Sequence, residues 1–179
     1  GANCTGTSDG LWGWSSGPSW NLFPFQFRFP GFVSKHAMAY DTVRDRIVLF
    51  GGFSWTPTPR ILGDTWEWDG AEWLLRTPRH SPGRRFDCSM TFDSSRGRTV
   101  LFGGMDENSQ VRSDTWEWDG ADWSPSPQVS PPLALMRSML TYDTLRSRCV
   151  LFGGTTNFSS RNDLLEYYDL APLASYESF

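Results

Sequence analysis

Short apolar runs separated by turn-forming residues dominate the chain. Ile47-Val48-Leu49-Phe50 is apolar at successive positions and stops at Gly51-Gly52, which predicts a short strand buried on both faces. The glycine pair is expected to end that strand, at backbone angles or a close approach that would exclude a side chain. Upstream, Met38-Ala39-Tyr40-Asp41 predicts another short strand. The four residues after it predict a turn whose entry aspartate accepts local backbone hydrogen bonds. Downstream, Thr65-Trp66-Glu67-Trp68 alternates with period two, and Asp69-Gly70 predicts a type I′ hairpin into a fourth strand carrying Trp73.

This pattern recurs. Phe-Gly-Gly stands at Phe50-Gly51-Gly52, Phe102-Gly103-Gly104 and Phe152-Gly153-Gly154. Tyr40-Asp41 is matched by Phe92-Asp93 and Tyr142-Asp143, and Arg44 to Leu49 by Arg96 to Leu101 and Arg146 to Leu151. Asp64 to Trp73 returns nearly verbatim at Asp114 to Trp123, and in degraded form at Asp163 to Asp169. A period near 50 residues signals a repeat architecture. Leu11-Trp12-Gly13-Trp14 followed by Trp20 echoes Thr65 to Trp73, so residues 8–23 read as the last two strands of an incomplete preceding unit. Thirteen strands follow, with a fourteenth candidate near Leu173 to Tyr176. The expected division is residues 1–35, 36–84, 85–136 and 137–179.

Composition supports an all-β chain. Among 179 residues there are ten Trp, 17 Gly and 12 Pro, which favours strands and turns over helices. The net charge of −4 argues against a nucleic-acid footprint. Apolar runs are too short for a transmembrane helix. Cys4, Cys88 and Cys149 lack metal-ligand spacing, and the expectation is two thiols buried in strands with one in the terminus. The chain opens on Gly1, as a processed product or a piece of a longer chain would. Asn3-Cys4-Thr5 and Asn157-Phe158-Ser159 are glycosylation acceptor patterns, in keeping with an extracellular or periplasmic location.

The unit running from Tyr40-Asp41 through Val48-Leu49-Phe50-Gly51-Gly52 and Asp64-Thr65-Trp66-Glu67-Trp68-Asp69-Gly70 to Trp73 resembles the kelch repeat, in the form common in large extracellular or multidomain bacterial proteins. The resemblance covers residues 36–169 well and 8–20 loosely. It implies β-propeller blades of four antiparallel strands, here about three to three and a half of them, and a role in binding other proteins. A minority of the family are enzymes, among them copper radical oxidases. The third unit departs from the pattern, with Leu165 and Tyr167 at the Trp positions. The family's His or Arg before the first strand is represented only by His36 and Arg85.

Closed propellers need at least about four blades, so this arc leaves an apolar flank at each end. Each large apolar side chain left uncovered forgoes roughly 1.5–3 kcal/mol of burial, a solubility liability for a whole face. A longer chain, a second copy or a different protein partner would each cover it. Phe23, Phe25, Phe27 and Phe29 alternate with Pro24, Gln26, Arg28 and Pro30; on extended backbone all four rings project from one side. This comb is a candidate partner-binding segment, or a cover for the arc's own end.

The loops 53–63, 105–113 and 155–162 are expected on one face of the scaffold, where binding usually lies. Their candidate contact residues are Trp55 and Arg60; Asp106, Glu107 and Arg112; Asn157, Phe158 and Arg161. Arg60, Arg112 and Arg161 each precede the Asp that opens the third strand, and a structural bridge to it is the simpler expectation. Catalytic residues, metal ligands and cofactors are not expected. His36 and His80 have no Cys or carboxylate cluster beside them, no phosphate loop or nucleophile elbow occurs, and Gly70 follows Asp69 too closely for a sialidase-type Asp box. The repeated Trp pairs are expected in the core. The expected function is a non-catalytic interaction or structural subunit, with no nucleic acid; the alternative is a fragment of a secreted propeller enzyme or glycan-binding protein.

Overall fold

A computed structural model describes residues 12–14, 20–22, 30–126, 133–156 and 164–167. Every regular element among them is a β-strand, and among these described residues no helix is long and apolar enough to cross a membrane. The first hairpin joins β1 (Trp12–Trp14) to β2 (Trp20–Leu22), with Trp14 opposite Trp20. The first unit comprises β3 (Val33–Ser34), β4 (Ala37–Asp41), β5 (Arg46–Ser54), β6 (Arg60–Trp68) and β7 (Trp73–Arg76). In the second, β8 (Arg85–Phe86) precedes β9 (Ser89–Asp93), β10 (Arg98–Phe102), β11 (Met105–Asp106), β12 (Thr115–Trp118) and β13 (Trp123–Pro125). The third shows β14 (Met139–Asp143), β15 (Arg148–Phe152) and β16 (Leu164–Tyr167).

All strand pairings among the described residues are antiparallel, and equivalent residues hold equivalent registers. Leu49 lies opposite Trp66, Leu101 opposite Trp116 and Leu151 opposite Leu165. The first turn of each unit is built as its sequence predicts. Asp41 accepts from the amides of Val43 and Arg44, Asp93 from those of Ser95 and Arg96, and Asp143 from those of Leu145 and Arg146. Asp45, Gly97 and Ser147 then take positive φ to re-enter the strand.

Three expectations are corrected. The glycine pair ends β10 and β15, but β5 continues beyond it to Ser54 after a register shift between Phe50 and Gly52. A bulge absorbs the glycines there, and the strand resumes against β3 and the start of β6. The Asp69-Gly70 hairpin is a four-residue loop instead of a type I′ turn, since Trp68 pairs with Trp73 and only Gly70 has positive φ. The Asp69 carboxylate accepts from the amides of Ala71 and Glu72, both at 2.8 Å, which favours the longer loop. Asp119 repeats this arrangement. Finally, Cys149 lies in β15, but Cys88 is buried in the link between β8 and β9.

The units pack face on face, with β4, β9 and β14 adjacent in that order. Val48 and Phe50 on one face of the first sheet join Leu101, Trp118 and Trp123 of the second in one core. Leu49, Trp68 and Trp73 occupy the opposite face of the first sheet, so the apolar run in β5 is buried on both sides. Phe102 of the second unit meets Leu135 and Leu151 of the third. Trp68 and Trp118 are buried, with Trp66 and Trp116 half-buried against their clusters. Backbone bonds reinforce the stack: Asp87 N–H donates to Lys35 C=O (2.9 Å), and Arg137 N–H to Asp87 C=O (2.8 Å). Lys35, Asp87 and Arg137 all have positive φ, so the same local bend recurs at each junction.

Candidate functional site

The far ends of β5 and β6 meet β8, which in turn pairs with β11. The first two variable loops therefore lie along one side of the described structure. Trp55 is exposed and rests edge-on against Phe53, with ring centroids 4.7 Å apart. Phe53 approaches Phe86 of the next unit, and the Lys35 ammonium stands 4.9 Å from the centre of the Phe86 ring. Such a cation over an aromatic face is held by the ring quadrupole. Arg60 is exposed, opposite Ser54 in the strand register.

In the second loop Asp106 organises its own turn. It accepts from the amides of Asn108 and Gln110, both at 2.9 Å, and from Arg112 Nη1 at 3.4 Å. Glu107 stands 3.7 Å from Arg84 and both are exposed, so this pair contributes little. Asn157, Phe158 and Arg161 lie outside the described residues, as do Phe23, Phe25, Phe27 and Phe29.

Asp114, immediately before β12, is held by Arg85 and not through a hydrogen bond from Arg112. Arg85 is buried and spans both carboxylate oxygens, at 2.7 and 3.0 Å. Its guanidinium also donates to the carbonyls of Gly103 and Pro82. Burial opposes ionisation of Asp114, but Arg85 outweighs it and holds the carboxyl below its usual range. Trp116 Nε1 adds a bond at 2.8 Å. Sequence reading placed the bridge on Arg112 because an Arg recurs ahead of that Asp in each unit. The available signal was Arg85, alone among its register mates Val33 and Leu135 in carrying charge.

The other buried charges serve the framework too. Glu67 accepts from Arg76 Nε at 2.7 Å and from Trp118 Nε1 at 2.8 Å. Arg96 joins Asp93 to Glu117, both at 2.7 Å. His80 and Asp122 tie the link between the first two units to the β12–β13 hairpin: the His80 backbone N–H donates to Asp122 Oδ1, and His80 Nδ1 meets Oδ2, both at 2.8 Å. Burial lowers the pKa of His36 and pushes the thiols of Cys88 and Cys149 up to about 12, so neither sulfur is a poised nucleophile. Among the described residues no group of three or more His, Cys, Asp or Glu is placed to hold a metal ion.

The chemistry these residues support is packing and recognition: an exposed aromatic ledge on one side, and a stack of sheets whose charged groups are tied into the scaffold. Comparison of the chain with protein-family models and with curated proteins finds no match.

Proposed function

We propose that the chain is a segment of a kelch-type β-propeller that acts without catalysis, as a protein-interaction or structural subunit of a larger assembly outside the cytoplasm. The stacked units, with β4, β9 and β14 adjacent, support a reading of them as neighbouring blades. One observation carries the interaction reading. Phe50 and Phe102, each covered by the following unit, are 0% and 4% exposed, whereas their counterpart Phe152 is 52% exposed. Met139, in the register position of the buried Ala37 and Ser89, is likewise exposed. A side chain that is core twice and bare once marks a missing neighbour.

Affinity purification of the tagged chain from its native cells tests this reading. Wild type should retain a protein companion in fixed stoichiometry, and Phe152→Asp should lose it. Recovery of both as bare monomers in equal yield would overturn it. Exposed Trp55, steadied by Phe53, favours glycan binding as the second reading. Glycan-array binding that Trp55→Ala abolishes and Phe152→Asp spares would select it.

A further inference from the structure

We propose that the row of rings Trp55, Phe53 and Phe86 binds acidic polysaccharide, stacking a sugar on Trp55 and pairing uronate carboxylates with Lys35 and Arg60. This names the ligand class within the second reading above and rests on it; the Phe152 face plays no part. The row is built into the scaffold. Phe53 lies in β5 between Ser34 of β3 and Ile61 of β6, and Ser54 Oγ donates to the Thr56 carbonyl at 3.0 Å, bracketing Trp55 in the chain. Ring centroids are 4.7 Å apart for Trp55 and Phe53 and 6.1 Å for Phe53 and Phe86, both edge-on. Trp55 stays exposed, and a ring already held in place loses little freedom on binding. The electron-rich face of an indole suits the C–H face of a pyranose. A peptide strand would instead need a free sheet edge, and β5 is hydrogen-bonded on both sides at this point. Recognition therefore falls to ring faces and side-chain charges.

Charge selects the acidic sugar. Arg84 is engaged with Glu107, Arg112 with Asp106 and Arg137 with Asp87. Lys35 and Arg60 are exposed and have no carboxylate partner among the described residues. The Lys35 ammonium stands 4.9 Å from the centre of the Phe86 ring, and Arg60 lies opposite Ser54, the residue before Trp55. A guanidinium takes a carboxylate through two parallel hydrogen bonds, and an ammonium takes one as a point charge. The net charge of −4 opposes a polyanion only weakly, since exposed charges farther than about 8 Å are largely screened at physiological salt. The local pair decides.

Calorimetric titration of the whole chain with polygalacturonate, alginate and hyaluronan, and with neutral dextran and methyl-esterified polygalacturonate, tests this. At least one polyuronate should bind, less tightly as salt rises, and the neutral polymers should bind about tenfold more weakly or not at all. Trp55→Ala should abolish binding. Lys35→Gln/Arg60→Gln should weaken it about tenfold or more. Both should keep the wild-type circular dichroism spectrum, because all three side chains are exposed. Phe152→Asp should bind like wild type. Binding to none of the polyuronates, or binding that either variant leaves unchanged, would overturn the inference. Equal affinity for the neutral polymers, abolished by Trp55→Ala, would overturn it and leave the glycan reading standing. An acidic protein retained in the purification above and lost by Trp55→Ala, with no polysaccharide bound, would overturn both.

Discussion

Trp118 donates its indole N–H to Oε1 of Glu67 across 2.8 Å of buried core, tying β12 of the second unit to β6 of the first. Trp123 makes the companion bond to Thr65 Oγ1 at 2.9 Å. The residues that define the repeat thus act between units as well as within them. The carboxylate of one Trp-Glu-Trp run accepts the indole of the next.

Glu67→Ala would leave the Trp118 N–H buried without its acceptor and release Arg76, at a cost of about 2–3 kcal/mol. Trp118→Phe removes the donor but leaves Glu67 its bond to Arg76, and should cost about 1–2 kcal/mol plus a packing loss. Urea unfolding of both variants and the double variant should return a coupling on the order of 1 kcal/mol. Simple additivity would mean the bond contributes nothing to stability.

Two glycines separate backbone geometry from close approach. At Gly70, with φ +95°, a Cβ would meet open space, so Gly70→Ala should cost only the conformational penalty of about 1 kcal/mol. At Gly103, with φ +65°, a Cβ would collide with the carbonyl of Leu135 in the next unit. Gly103→Ala should lose about 3 kcal/mol or more, the same penalty with overpacking added. Equal melting temperatures for the two variants would show that the junction yields.

Arg85 and Asp114 set a pH dependence. Asp93 and Asp114 have folded pKa values below the usual carboxylate range; in each, burial opposes the shift and hydrogen bonds from Arg96 or Arg85 outweigh it. A depressed carboxyl stabilises the fold above its unfolded pKa of about 3.9 and loses that contribution as pH falls through the folded value. Burial lowers His36 too, so its neutral form is favoured in the folded chain and stability declines as pH drops below about 6.5. Stability measured by denaturant from pH 8 downward should fall gently below neutrality and steeply below about pH 4. Arg85→Ala should cost about 3–5 kcal/mol at pH 7 by leaving Asp114 unpaired, and should flatten the acid limb.

Much of the framework was legible because it is local. Asp41, Asp93 and Asp143 announce their turns by bonding amides two and three residues on, and the alternation in Thr65 to Trp68 shows directly which residues share a face. The rest depends on what another unit brings. The Asp114 partner is Arg85 because the chain folds back between them, whereas the recurrence of an Arg ahead of that Asp in each unit pointed to Arg112. Gly51 and Gly103 are required by carbonyls of Arg85 and Leu135, which no single repeat contains. The turn after Trp68 was misread because Asp-Gly suits two loop lengths, and the Asp69 side-chain bonds select the longer one. Of the candidate contact residues, Trp55 was legible as an odd aromatic in a variable loop. An apolar flank was already expected from the sequence, but Phe152 stood out only once its exposure could be compared with the burial of Phe50 and Phe102.

Cys88 and Cys149 are buried free thiols with pKa values pushed up to about 12 by burial. Alkylation by iodoacetamide at pH 8, followed by peptide mass spectrometry, should leave both unmodified in the folded chain and label both in urea. Rapid labelling of Cys88 without denaturant would mean that the junction between the first two units opens readily.

The most direct test places the photoreactive residue p-benzoylphenylalanine at position 152 of the full chain and maps its cross-links by mass spectrometry. The account predicts intermolecular products joining position 152 to a companion polypeptide in fixed stoichiometry. Cross-links confined to the same chain, or none at any concentration, would contradict it.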